Sequence, residues 1–225
     1  MTRPVSELQD IIGYTFKDFA LLDEALTHSS TKKKENYERL EFLGDRVLGL
    51  VIAELLYKRF PDETEGDLAR RQASLVQGAT VAGLSARIAL ADFIVLSESE
   101  RESGGAKKEN ILADAYESLI GAIYLDGGLE PCRKLISSQW HEVLDKMIRP
   151  PQHPKTQVQE WVQGRGLPLP VYEIKEQTGP DHAPVFKVRI QVEGFEPLSA
   201  QGRSRQEAEK EAARKFIKHH VRTNS

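Results

Sequence analysis

Residues 37–45, Tyr-Glu-Arg-Leu-Glu-Phe-Leu-Gly-Asp, constrain this chain more than any other stretch. Glu38, Glu41 and Asp45 follow at steps of three and four. An α-helix turns about 100° per residue, so those steps stack the three carboxylates on one face over two turns. Leu40, Phe42, Leu43, Val47, Leu48, Leu50, Val51 and Ile52 accompany them, and the segment reads as a central helix, apolar on several sides and mostly buried. Acids on such a helix are costly unless paired or metal-bound. Charges at helical spacing are usually a solvated face, and arginines elsewhere are alternative partners, so this stretch alone leaves both metal binding and ion pairing open.

A second acidic pair, Asp114 and Glu117, lies three apart in another apolar segment, among Ile111, Leu112, Ala113, Leu119, Ile120 and Ile123. Packed face to face, the two helices would gather four or five carboxylates. All-oxygen ligation selects hard cations, Mg2+ or Mn2+, over zinc or copper. A di-iron bundle wants Glu-x-x-His pairs, and neither helix contains histidine. Carboxylate-held magnesium usually acts on phosphates, and two such ions about 4 Å apart serve in-line displacement. The chain has no Gly-x-x-x-x-Gly-Lys loop, so a nucleotide cofactor is not expected.

Charge divides the chain. Of 31 Lys+Arg and 34 Asp+Glu, residues 154–225 hold 12 and 9, leaving 19 and 25 in the first 153 residues. An acidic front and a basic back suggest two domains with different partners. The first 150 residues read as successive helices: 6–12, 18–28, the long helix ending near Phe60 before Pro61, one starting after Thr64, then 81–90, 109–125 and 131–147, with 97–108 as a loop. The Pro-rich residues 149–153 read as a linker. Beyond it come a helix over 155–165, strands at 171–176, 185–192 and 198–201, and a last helix capped by Ser204. The expected fold is an all-α N-terminal domain, 1–148, followed by a small α+β domain of order α-β-β-β-α, 154–225.

No apolar run approaches the ~20 residues of a membrane span, and residues 1–10 lack a signal peptide's apolar core. Cys132 is the only cysteine, which excludes an internal disulfide and a Cys-based zinc site. A cytoplasmic location is the default expectation.

Glu38-Arg39-Leu40-Glu41-Phe42-Leu43-Gly44-Asp45 resembles the signature of bacterial ribonuclease III, an endonuclease specific for double-stranded RNA. The resemblance extends to Glu65-Gly66-Asp67, to Ile111-Leu112-Ala113-Asp114 with Glu117, and to an RNA-binding domain opening at Pro154-Lys155-Thr156. It implies a metal-binding catalytic core of Glu41, Asp45, Asp114 and Glu117, with Glu38 and Glu65 as outer acidic positions. It also implies a homodimer with Phe42 docking on the partner, where the residue pattern alone assigns Phe42 to the core. The implied products are 5′-phosphate and 3′-hydroxyl ends with short 3′ overhangs, from substrates such as ribosomal RNA precursors. In the tail, Thr156, Gln159, Glu160 and Gln163 form a polar stripe that the resemblance turns into a minor-groove reader. His182 resembles a second groove contact, and Ser204, Arg205 and Gln206 a phosphate contact at a helix N-terminus. The chain departs from the family pattern at Tyr37, often Asn, and Arg46, often Ser. Gln206 and Glu209 stand where related domains often carry lysine. A non-catalytic duplex-RNA binder with a structural acidic domain is the competing reading.

Overall fold

The computed structural model describes residues 3–180 and 183–221. The chain divides into two compact units, Met1–Pro151 and Gln152–Ser225.

The first unit is helical. Helix α1, Val5–Ile12, stops at Gly13, whose φ of 66° favours a residue without a Cβ. Helix α2, Phe19–Leu26, starts where the Asp18 carboxylate accepts the Ala20 N–H (2.9 Å). It ends two residues before the expected His28, because Thr27 pairs with Val95 in an isolated bridge. The 22-residue helix α3, Glu38–Arg59, begins where Asn36 Oδ1 accepts the Glu38 N–H (3.0 Å) and ends before Pro61. Helix α4, Glu65–Leu75, is capped by Thr64, which accepts the Asp67 N–H. Helix α5, Gly78–Arg87, lies three residues earlier than its hydrophobic pattern indicated. The expected loop at 97–108 contains helix α6, Glu98–Glu102, capped by Ser97, and a 3-10 turn at Gly105–Lys107. Helices α7, Glu109–Gly127, and α8, Leu129–Lys146, complete the unit.

Helices α3 and α7 form its centre. Leu40, Val47, Leu48, Val51, Ile52 and Leu56 of α3 pack with Ile111, Ala115, Leu119, Ile120 and Ile123 of α7 in one buried core. Backbone meets backbone where they cross. A Cβ on Gly44 would overlap the Glu117 carbonyl, and one on Gly121 would overlap the Leu40 carbonyl. The close approach therefore requires glycine at both positions. Around this centre, Trp140 Nε1 of α8 donates to the Leu75 carbonyl (3.0 Å). The buried Arg71 guanidinium donates to both Glu63 oxygens (2.7 and 2.5 Å) and to the Met147 carbonyl (2.6 Å).

The expectation that α3 is buried on most sides is corrected. Phe42 is 67% exposed, Leu50 56% and Tyr57 74%. Among the described residues of the single chain, these side chains are left largely uncovered. Assigning Phe42 to the core on residue pattern is therefore wrong.

The second unit runs α9, Pro154–Gln163, β1, Val171–Thr178, β2, Val185–Gln191, β3, Leu198–Gly202, and α10, Arg205–Phe216. Pro154 opens α9, where its missing N–H costs nothing. The strands form one antiparallel sheet in the order β1-β2-β3, with a register shift between Ile174 and Glu176. Val188, Ile190 and Val192 are buried as the alternation requires, and Phe186 is only partly covered. Ile190 and Val192 share one buried cluster with Val158, Val162, Ala212, Ala213 and Phe216 from the helices. Ser204 Oγ accepts the Glu207 N–H (3.1 Å), while Glu207 reaches back to the Arg203 N–H (2.7 Å), one residue beyond the usual capping-box partner.

The α3–α7 crossing carries a direct prediction. Gly44→Ala should cost about 3 kcal/mol, the upper range for overpacking, because backbone rather than a flexible side chain must yield. Urea denaturation monitored by circular dichroism measures it. A loss below ~0.5 kcal/mol, typical of a neutral surface change, would contradict the crossing.

Candidate metal centre

Because α3 and α7 meet at Gly44 and Gly121, side chains one turn from those glycines converge. Glu41 lies three residues before Gly44, and Glu117 four before Gly121. Glu41, Asp114 and Glu117 each offer a carboxylate oxygen, and these oxygens lie within 4.8 Å of one another. All three residues are half-buried. Asp45, the fourth predicted ligand, is outside this trio: it pairs with the neighbouring Arg46, whose guanidinium lies 5.4 Å from the centre of the Phe42 ring. Glu38 and Glu65 are exposed and also lie outside the trio.

The trio has too little positive charge of its own. Burial pushes the Glu117 carboxyl up to about 8, helped by the negative charges of Asp45, Asp114 and Glu41, with Arg46 opposing. Burial also raises Glu41, with Asp114, Glu38 and Asp45 adding to the effect. Asp114 is raised by burial and partly relieved by a hydrogen bond from Tyr37 and by the proximity of His28. Three converging, half-desolvated oxygen donors that resist ionisation match the requirements of a hard divalent cation. Sequence reasoning missed His28 and gave Tyr37 no role. Tyr37 was within reach, standing four residues before Glu41 and hence on the same helical face, whereas His28 arrives from a separate loop.

The polar stripe of α9 is where the spacing placed it. Thr156, Gln159, Glu160 and Gln163 are exposed, while Val158 and Val162 are buried on the opposite side. Ser204, Arg205 and Gln206 are exposed at the start of α10, and His182 lies outside the described residues. Glu209, at a position where lysine is common, does not face outward. It is buried and accepts from Lys155 Nζ (2.5 Å) and Arg205 Nε (2.8 Å), tying α9 to α10. Burial pushes its carboxyl up, but those two hydrogen bonds outweigh it and hold the group below the usual carboxylate range.

A helical unit whose carboxylate trio could hold a metal ion, followed by an α-β-β-β-α unit with an exposed polar helix face, fits the class of two-domain, metal-dependent nucleases of structured RNA. Residues 18–144 match the Ribonuclease-III-like family, and residues 154–220 match the double-stranded RNA binding motif. Ribonuclease 3 of Caulobacter vibrioides is 47% identical over 218 residues, covering 95% of this chain and 94% of that protein. Ribonuclease 3 of Wolbachia pipientis subsp. Culex pipiens is 45% identical over 212 residues, 92% of each. The nuclease domain of ribonuclease III from Campylobacter jejuni, solved at 2.2 Å resolution, superimposes with a TM-score of 0.60 at 42% identity, covering 63% of this chain and 96% of that one. The chain belongs to the ribonuclease III family and is an endoribonuclease of double-stranded RNA.

The raised Glu117 carboxyl sets a pH dependence. Its folded value, about 8, lies above its ordinary value near 4.5. The folded state therefore holds the proton more tightly, and this stabilisation, present at low pH, is lost as pH rises from about 4.5 through 8. In EDTA, the melting temperature of the full chain should fall across that window. Glu117→Gln should show a smaller fall and melt higher than the wild type at pH 8. Parallel pH profiles for the two proteins, measured by calorimetry, would contradict the assigned environment of Glu117.

Proposed function

We propose that Glu41, Asp45, Asp114 and Glu117 hold a catalytic divalent ion, Mg2+ with Mn2+ as a substitute, and that the enzyme cuts duplex RNA to leave 5′-phosphate and 3′-hydroxyl ends with short 3′ overhangs. The observation that carries this reading is the convergence of Glu41, Asp114 and Glu117 at the α3–α7 crossing. When bound, the ion supplies Lewis acidity and charge neutralisation for phosphodiester hydrolysis. The protein's own part is electrostatic and geometric. Glu117, protonated near neutral pH without the ion, must release its proton on loading. Asp45, next to the trio on α3 and now paired with Arg46, supplies the fourth carboxylate.

In this reading Glu38 and Glu65 are outer acids that help seat the RNA. The second unit recruits the duplex: Thr156, Gln159, Glu160 and Gln163 read the minor groove, where a carboxylate can accept from a 2′-hydroxyl. Ser204, Arg205 and Gln206 meet phosphate at the positive end of α10. His182 would enter the next groove.

The exposed apolar face of α3, with Phe42 at its head, fits a homodimer in which each subunit cuts one strand. One Campylobacter jejuni relative, 43% identical with a TM-score of 0.59, is described as having a flexible region involved in dimer formation. The duplex shape common to ribosomal RNA precursors and other structured transcripts makes both classes substrates. A cytoplasmic site of action agrees with a lone, buried thiol that needs no oxidising compartment.

Glu117→Gln should lower magnesium-dependent cleavage of a labelled duplex by more than about 10²-fold, since even outer partners of metal ligands are worth that much. Its affinity for the duplex in a gel-shift assay should stay near the wild type. Normal cleavage by this variant would remove Glu117 from the centre. Duplex retention by the wild type, without any magnesium-dependent products, would favour a non-catalytic binder. Residues 1–151 alone should cut at low salt and lose most activity near physiological ionic strength, where the basic tail's phosphate contacts are needed. Equal salt profiles for the truncated and full chains would argue against recruitment by the tail.

A further inference from the structure

Tyr37 is buried, 3% exposed, at the head of α3. Its backbone is pinned on both sides: its N–H donates to the Thr27 carbonyl (2.9 Å), and its carbonyl accepts the Glu41 N–H (2.8 Å). Its ring meets the His28 ring edge to face, with centroids 5.2 Å apart and planes at 79°. His28 is itself held in place. Its N–H donates to the Val95 carbonyl (3.0 Å), and its Nδ1 accepts the Ser30 N–H (3.0 Å). From this support the Tyr37 hydroxyl reaches Asp114 and donates to Oδ2 at 3.4 Å. Glu41 and Asp114, two of the three converging acids, are thus both bonded to one residue, the first through the backbone and the second through the phenol.

We propose that Tyr37 is a positioning residue for the metal centre: its hydroxyl, braced by His28, engages one oxygen of Asp114 and so presents the other to the ion. This inference rests on the trio being the ion site. A carboxylate free to rotate must be ordered when the ion binds, and that entropy is charged against affinity. A donor on the far oxygen removes part of that cost in advance, as outer hydrogen bonds to metal ligands do generally. Phenylalanine would keep the ring against His28 and delete only the donor. The backbone bonds at position 37 need no particular side chain.

The test is Mn2+ binding to the full chain, followed by electron paramagnetic resonance of the free ion. Tyr37→Phe should raise the dissociation constant by about 10-fold or more, within the 10–100-fold range of such outer contacts. The Mg2+ concentration for half-maximal cleavage should rise by the same factor, with the rate recovering as the ion is raised. In an Asp114→Ala background, Tyr37→Phe should have no further effect on Mn2+ binding, because the group it orients is gone. Unchanged Mn2+ affinity in Tyr37→Phe would overturn the proposal. So would an equal loss with and without Asp114, which would mark a general structural effect. Failure of the wild type to bind Mn2+ at all would overturn the metal-centre reading as well.

Discussion

Contact between the backbones of α3 and α7 at Gly44 and Gly121 is the constraint on which the first unit depends. Two helices with side chains at their crossing keep their axes 8–10 Å apart. Glycine on both sides removes that spacer, and Glu41, Asp114 and Glu117 are drawn within 4.8 Å of one another. The crossing works against electrostatics. It gathers like charges in a half-desolvated place and leaves Glu117 hard to ionise. What offsets this is the apolar packing on either side, where Leu40, Val47, Leu48 and Val51 meet Ala115, Leu119, Ile120 and Ile123. The centre is strained in charge rather than in backbone, and a bound cation would relieve that strain. In the proposed function, stability and catalysis therefore oppose each other at Glu117, as is common where binding needs a group the fold alone would reject.

The two units divide the electrostatic task of meeting a polyanion. The first is net acidic, and the proposed ion would offset part of that charge where phosphate approaches. The second is net basic, and two of its cations also serve the fold: Lys155 Nζ and Arg205 Nε bond the buried Glu209, while the Arg205 side chain stays largely exposed. That arrangement makes Glu209 an internal clasp between α9 and α10 rather than a repulsive charge on the surface. In the proposed function, the exposed polar stripe of α9 contributes hydrogen bonds in place of charge, which suits a domain that reads duplex shape with little sequence preference.

Much of this was legible in the chain. The acidic faces of α3 and α7 followed from spacing alone, because helical periodicity needs no tertiary information. The cap at Thr64, the helix just beyond the Pro-rich linker and the alternation through Val188, Ile190 and Val192 were readable for the same reason. What was hidden depended on neighbours distant in sequence. Phe42 and Leu50 look like core residues until the position of α7 shows which side of α3 is covered. Asp45 belongs with Glu41 by spacing, yet its carboxylate turns to Arg46, a choice of rotamer that periodicity does not encode. The bridge between Thr27 and Val95 shortened α2 and brought His28 beside Tyr37, and nothing local announces it. Glu209 in a basic motif reads as a defect until Lys155, 54 residues earlier, is placed against it.

In the proposed function, the glycine crossing builds a cation site from three carboxylates on two helices. A crystal of the full chain soaked in Mn2+ and measured at a wavelength giving anomalous signal tests it most directly. An anomalous peak should appear among the carboxylates of Glu41, Asp114 and Glu117. No peak there at millimolar Mn2+, or a peak only at other acids, would contradict it.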